Sequence, residues 1–305
     1  MSIPPTSGAN RLLPPANPMG YSPAEMDRQY NARAAVPDSE HQLREYTDLS
    51  AQAWSRVDGW QSVPYGDHPD EILDIFPAPG SAAAPCFFFI HGGYWRALSK
   101  DDASFIAPAF TSAGAMVVTI NYSLAPAVTL SHILDQCRRA LAWTWKNIAH
   151  YGGDPARIHV SGHSAGGQLA GMLLADGWQS DLGLPDSVVH SASPISGLFD
   201  LRPLIGTHVN AWTQLDERTA IALSPQFHLP QRGRPLLVAW GEHETDEFKR
   251  QSRAYGQAWL DAGYPATLLE VAGASHFNVL MALRKVESAI SRHILHSMGL
   301  GGRAN

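Results

Sequence analysis

Cysteine is almost missing from this chain of 305 residues, which has two, Cys86 and Cys137. A disulfide-stapled scaffold is thereby excluded, and the pair lacks the spacing of a metal knuckle. One bridge is open to them in principle, but both sit among apolar neighbours, the usual setting of buried free thiols. Long apolar runs are missing as well. Nothing approaches the roughly 20 residues of a membrane span. The first twenty residues carry prolines and polar side chains where a secretory signal would hold an apolar core. Positive charge is scarce: Lys and Arg number 22 against 28 Asp and Glu, a formal charge of −6 with neutral histidine. A surface built to coat nucleic acid is not expected. There is no Walker loop, no His-Glu-x-x-His zinc helix and no Rossmann glycine fingerprint, so neither metal nor cofactor is implied. What is present is 45% hydrophobic and 16% charged, enough for a large core and too apolar for disorder. A cytoplasmic enzyme or binding protein is the default class.

Residues 1–20 read as a flexible tail, broken by Pro4, Pro5, Pro14, Pro15 and Pro18. Ser22-Pro23-Ala24-Glu25 then has the form of a helix start, with Ser22 as N-cap, Pro23 at the first position and Glu25 completing a capping box. A helix with Met26, Tyr30 and Ala34 follows and ends at Pro37; a second covers 39–56. From residue 60 short apolar runs alternate with stretches of helical period. Strands are expected at 61–65, 71–75, 86–90, 116–121, 158–161, 188–193, 236–240 and 267–271. Helices are expected at 101–113, 131–150, 166–176, 246–262 and 277–297. The first two strands have no helix between them and should form a hairpin. The remaining alternation argues for a mostly parallel sheet of eight strands with helices on both faces. Residues 194–234 interrupt it with prolines, Trp212 and no clear strand. They read as a small cap insertion over the carboxyl ends of the strands, within one domain spanning 21–305.

The strongest chemical signal is Gly162-His163-Ser164-Ala165-Gly166-Gly167, set between an expected strand and an expected helix. A serine needs this strand–turn–helix context to stand exposed on a sharp turn, and the flanking glycines make the turn sterically possible. The Ala165 amide and the helix N-terminus would then face any oxyanion forming at Ser164. His91-Gly92-Gly93-Tyr94-Trp95 follows the strand at 86–90 and can present further amides, with Gly93 and Tyr94 the candidate donors. His91 reads as a structural member of that loop. A hydroxyl nucleophile needs a base, and the base an orienting acid. Of the 14 histidines, only His276 follows the last strand through a glycine-containing loop, Ala272-Gly273-Ala274-Ser275. The acid lies in Gly241-Glu242-His243-Glu244-Thr245-Asp246. A position three residues past the glycine selects Glu244; Asp246 is the alternative and is also a candidate helix cap. His243 reads as a surface residue. Trp95, Phe199, Trp212 and Phe277 are candidate linings of an aromatic pocket.

These segments resemble the α/β-hydrolase family of kynurenine formamidases and their esterase relatives. The resemblance rests on Val63-Pro64-Tyr65-Gly66, the loop 91–95, Ser99-Lys100-Asp101-Asp102 and Gly162–Gly166. It continues through Ser224-Pro225, Glu247-Phe248, Arg250-Gln251-Ser252 and His276-Phe277, so that it spans about 20–295. It implies an α/β-hydrolase fold with Ser164 as nucleophile, His276 as base and Glu244, in register with Glu247-Phe248, as acid. Members often have Asp at that acid position, so Glu244 is a departure. The resemblance implies hydrolysis of N-formyl-kynurenine or of small aryl and alkyl esters.

The expectation is therefore a cofactor-free serine hydrolase acting on a small-molecule ester or aryl formamide, away from nucleic acid and membranes. A homodimer is compatible with it. A general short-chain carboxylesterase outside the kynurenine pathway is the nearest alternative. A noncatalytic binding protein on the same scaffold would commonly have lost one of the three triad residue types, and all are present here. A lyase or dehydratase on this scaffold would be told apart by its products.

Overall fold

The computed structural model describes residues 13–301. The first twelve residues of the expected tail lie outside the described residues. One sheet of eight strands organises the rest: β1 (Gln61–Pro64), β2 (Ile72–Phe76), β3 (Ala84–Ile90), β4 (Met116–Ile120), β5 (Gly153–His163), β6 (Ser191–Ile195), β7 (Leu236–Gly241) and β8 (Ala266–Val271). Their spatial order is β1-β2-β4-β3-β5-β6-β7-β8. β1 and β2 form the expected antiparallel hairpin, β2 joins β4 antiparallel, and every later pairing is parallel. All seven residues of β3 and all five of β4 are buried. Successive side chains of a strand point to opposite faces, so burial of every residue means that both faces are covered.

Three helices precede the sheet: α1 (Pro23–Gln29), α2 (Ala32–Ala35) and α3 (Ser39–Arg56). The others are α4 (Ala107–Ser112), α5 (Leu130–Asn147), α6 (Ala165–Leu173), α7 (Asn210–Thr213), α8 (Glu217–Ala222), α9 (Asp246–Asp261) and α10 (Ala289–Ser297). α4 packs on β4, α5 on β5, α6 on β5 and β6, α9 on β7 and β8, and α10 on β6 and β7. None of the described helices is long and apolar enough to cross a membrane. Cys86 and Cys137 are free and buried, so no bridge joins them.

Four local expectations change. The one helix expected through Met26, Tyr30 and Ala34 is two, α1 and α2, because the Asn31 side chain accepts the Ala34 amide at 3.1 Å and caps a new start. The helix expected at 277–297 is two pieces, a 3-10 stretch over Asn278–Arg284 and then α10. Ser288 causes the restart, because its hydroxyl accepts the Ser291 amide at 3.1 Å and caps a new helix. The helix expected at 101–113 is α-helical only in α4, after two 3-10 turns. Ser22 caps α1 through the Glu25 amide, but the Glu25 carboxylate turns to Arg28 and Gln29 instead of closing a capping box.

The order β4-β3-β5 places the site. From β3 the chain crosses to β4 on one side, and from β5 it continues to β6 on the other. Connections that leave neighbouring strands in opposite directions open a crevice at their carboxyl ends. The loop after β3 and the turn after β5, which carry both motifs, meet there.

Candidate active site

At the end of β5 the backbone turns sharply at Ser164, whose φ of 56° and ψ of −117° begin α6 at Ala165. Such a conformation costs a non-glycine residue about 1–3 kcal/mol. Packing enforces it. A Cβ on Gly162 would lie 2.3 Å from the Gly166 carbonyl oxygen, and one on Gly166 would lie 2.1 Å from that of Ile90. The Ser164 amide donates to the Ile195 carbonyl at 2.9 Å, fastening the turn to β6.

His276 arrives from the loop after β8. Its Nε2 lies 3.1 Å from Ser164 Oγ and its Nδ1 lies 2.9 Å from Glu244 Oε2. The carboxylate can only accept, so Nδ1 carries the proton and Nε2 presents a lone pair to the serine hydroxyl. The other oxygen of Glu244 accepts the Gly241 amide at 2.6 Å and the Ser196 hydroxyl at 2.5 Å. Ser164, His276 and Glu244 are 3%, 4% and 5% exposed, which keeps water from competing for these bonds. Asp246 stays apart: it opens α9, with its side chain 63% exposed and 3.6 Å from Lys249 Nζ. Geometry therefore brings Glu244, and not Asp246, to the histidine.

The 91–95 loop is pinned from below. The His91 ring lies parallel to Tyr122 at 4.1 Å, and the Tyr122 hydroxyl donates to the His91 carbonyl at 2.9 Å. Burial lowers the His91 pKa to about 4, so the ring is neutral; it donates through Nδ1 to the Gly92 carbonyl at 2.8 Å. Gly93, Tyr94 and Trp95 then have φ of 102°, 51° and 58°. The Gly93, Tyr94 and Ala165 amides donate to no acceptor among the described residues, and Gly93 and Tyr94 line the cavity that Ser164 and His276 open into.

His163 was not singled out from the sequence, although it stands inside the glycine motif. It is buried beside His276, with ring centres 4.8 Å apart. Burial, and then the neighbouring imidazole, hold its pKa well below the ordinary histidine value. As a neutral ring it donates through Nε2 to the His276 carbonyl at 2.7 Å and fixes the backbone there.

The cavity has a volume of about 410 Å³. Trp212 and Phe277 line it, as expected, but Trp95 and Phe199 do not. Trp95 is fully buried and donates through its indole to Gln168 Oε1 at 3.0 Å, because the positive φ at 94 and 95 turns it inward. Phe199 stacks on Tyr255 with ring centres 4.3 Å apart. Much of the wall comes instead from the N-terminal helices, through Tyr30, Arg33, Leu43 and Tyr46. Nothing local in the sequence marks these as pocket residues; Tyr30 showed only as one apolar position of a helix. Arg96 and His208 complete the rim. Among the described residues no three His, Cys, Asp or Glu side chains are placed to hold a metal ion.

Comparison with known proteins agrees with this fold. A profile of the α/β-hydrolase fold matches residues 87–280. A kynurenine formamidase of Danio rerio is 30% identical over 286 residues, covering 92% of this chain and 94% of that protein. Esterase LipQ of Mycobacterium tuberculosis is 31% identical over 272 residues, 79% of this chain and 63% of that protein. A solved structure from Silicibacter sp. is 28% identical with a TM-score of 0.77, covering 88% of this chain and 98% of that one. The thermostable carboxylesterase EstE1 shares the fold with a TM-score of 0.70 at 19% identity, covering 93% of this chain and 99% of its own. With its mostly parallel eight-stranded sheet, its serine-bearing turn and these matches, the chain belongs to the α/β-hydrolase-fold family, a family of hydrolases in which its relatives are kynurenine formamidases and esterases.

Proposed function

We propose that this chain is a serine hydrolase that cleaves a small ester or aryl formamide through an acyl-enzyme. The observation that carries the reading is the continuous hydrogen-bonded line from Ser164 Oγ through His276 to Glu244. His276 Nε2 takes the hydroxyl proton as Oγ attacks the carbonyl carbon. Glu244 remains a carboxylate and stabilises the imidazolium that results. The Gly93, Tyr94 and Ala165 amides receive the oxyanion, a role supported by their having no other partner. His276 then gives its proton to the departing alcohol or arylamine, and the bond to the leaving group breaks. A water attacks the acyl-serine by the same route, with His276 again as base, and frees the acid and Ser164. Every proton passes between Ser164, His276, the leaving group and the attacking water, so the cycle calls for no cofactor.

The substrate side rests on fit and relatives. A cavity of about 410 Å³ is at the small end for ligand sites, which span roughly 300–1,000 Å³. Trp212, Tyr94 and Phe277 supply aromatic walls. A formyl group is small and electrophilic, and an aniline leaves more readily than an alkyl amine, so an aryl formamide asks less of this site than a peptide would. The esterase relative, similar over 79% of the chain, supports the second reading, a short-chain carboxylesterase.

A fluorophosphonate should label Ser164 stoichiometrically, and Ser164→Ala should lose both the label and on the order of 10⁶ in kcat, as removal of the serine does in subtilisin. Activity above one hundredth of wild type in that variant overturns the mechanism. Comparing kcat/KM for N-formyl-kynurenine and p-nitrophenyl acetate separates the two substrate readings.

A further inference from the structure

We infer that Trp212 is a positioning residue for the oxyanion-binding amides, reaching the 91–95 loop from the segment between β6 and β7. The inference rests on the serine-hydrolase reading above and adds a residue that acts through the loop.

Three consecutive residues of that loop have positive φ: Gly93, Tyr94 and Trp95. Two of them carry side chains, and such backbone persists only where its surroundings over-determine it. The surroundings can be named. Trp212 Nε1 donates to the Tyr94 carbonyl at 3.0 Å. The Tyr94 hydroxyl donates to the Tyr30 carbonyl at 2.6 Å, and the Trp95 carbonyl accepts the Ala125 amide at 2.7 Å. The Trp95 indole is held by Gln168, whose own amide group donates to the Leu223 carbonyl at 2.7 Å. The segment between β6 and β7 thus braces the loop twice, directly at Tyr94 and through Gln168 at Trp95.

The direct brace matters more for chemistry. The Tyr94 carbonyl and amide share one Cα, so holding the carbonyl's peptide plane restrains the φ and ψ of Tyr94, the two torsions that relate that plane to its amide. Trp212 is itself fixed. The Arg96 guanidinium lies 4.2 Å over its ring, and Tyr94 and His208 meet the ring edge-on at 6.2 Å and 5.7 Å. Its short helix is pinned by Asn210, which donates to the Ile205 and Leu215 carbonyls, each at 3.1 Å. An indole held on its face, its edge and its helix can hold a strained peptide against thermal motion. A ring serving only as a pocket wall would not need its N–H aimed at that carbonyl.

The test removes the N–H and keeps the wall. Trp212→Phe and, at the same position, benzothienylalanine, which has the two-ring shape without the donor, are compared with wild type on p-nitrophenyl acetate. A trifluoromethyl ketone reports transition-state affinity, and a non-reactive substrate analogue reports ground-state affinity. Positioning predicts that kcat falls about tenfold or more, within the cost of leaving a part-buried carbonyl unpaired. KM and the analogue's Ki should stay within twofold, and trifluoromethyl ketone affinity should weaken by the same factor as kcat. Benzothienylalanine should match phenylalanine. The inference is overturned if both proteins keep wild-type kcat, or if KM rises while ketone affinity holds, which would leave Trp212 as a wall only. Should Trp212→Phe not fold, the benzothienylalanine protein carries the same comparison. Wild type that turns over but is not labelled at Ser164 by a fluorophosphonate would fail the underlying mechanism instead.

Discussion

Glu244→Gln replaces one oxygen by an amide nitrogen and leaves the shape of the side chain unchanged. Three donors converge on that carboxylate: His276 Nδ1, the Gly241 amide and the Ser196 hydroxyl. A carboxylate accepts all three, but a carboxamide has a single oxygen. If that oxygen faces His276, the NH₂ group meets the Gly241 amide, which cannot reverse. If it faces Gly241 and Ser196, the NH₂ group meets His276 Nδ1. The imidazole must then accept there, its proton moves to Nε2, and Ser164 loses its base. The second arrangement satisfies more groups and should prevail. The corresponding wrong-tautomer exchange in a trypsin-like triad lowers kcat about 10⁴-fold, or about 5 kcal/mol at 1.36 kcal/mol per decade. Asp246→Asn is the matched control. Its carboxylate is largely exposed and pairs with Lys249, so the change should cost less than about threefold, in line with the small worth of exposed ion pairs. Initial rates with p-nitrophenyl acetate at saturating and limiting substrate give kcat and KM for both variants. A Glu244→Gln enzyme within tenfold of wild type, or an Asp246→Asn enzyme that is the worse of the two, refutes the assignment.

Two other expectations follow from the cavity and from the buried histidines. Against p-nitrophenyl octanoate, the acetate or butyrate should be cleaved about tenfold faster or more, since even one methylene the pocket cannot hold is worth about 1–3 kcal/mol; octanoate as the best substrate would contradict the small-acyl reading. His159, whose ring nitrogens meet Ser191 and Ser193, is pushed by burial to a pKa of about 3. Its unfolded counterpart titrates near 6.5. The unfolded state therefore binds more protons between those values, and stability falls as pH falls from about 6.5 towards 3, by about 1.4 kcal/mol per pH unit. His159→Gln should flatten the acid side of urea-unfolding free energies measured at pH 6, 5 and 4, and an unchanged slope would contradict the linkage.

The parts of the molecule legible in its sequence are those fixed by local constraints. Gly162 and Gly166 announce the serine turn because nothing larger fits there, and the fully buried run of β3 announces a central strand. The choice between Glu244 and Asp246 is legible only in part: the position three past Gly241 points to Glu244, but the partner that decides it, His276, lies 32 residues further on. Both follow β7, and it is the turn closed by the Glu244 amide on the Gly241 carbonyl that folds one carboxylate back while the other starts α9. Trp95 misleads for a related reason. A loop of unusual φ turns its side chain inward, and sequence spacing carries no sign of φ. Tyr30 and Tyr46 reach the cavity through contacts with residues more than 200 positions away, Glu247 and Phe277, which periodicity does not encode.

The N-terminal helices therefore add one wall to a cavity whose other walls come from the rest of the chain. The stretch matched by the fold profile, 87–280, holds the serine, the histidine, the glutamate and the glycine loop. Tyr30, Arg33, Leu43 and Tyr46, which wall the approach to them, precede it. Part of the cavity wall therefore lies outside the stretch that holds the serine, while Tyr94, Trp212 and Phe277 lie within it. The four N-terminal side chains can be exchanged without touching Ser164, His276 or Glu244, so the shape of the cavity can be altered from the N-terminal helices.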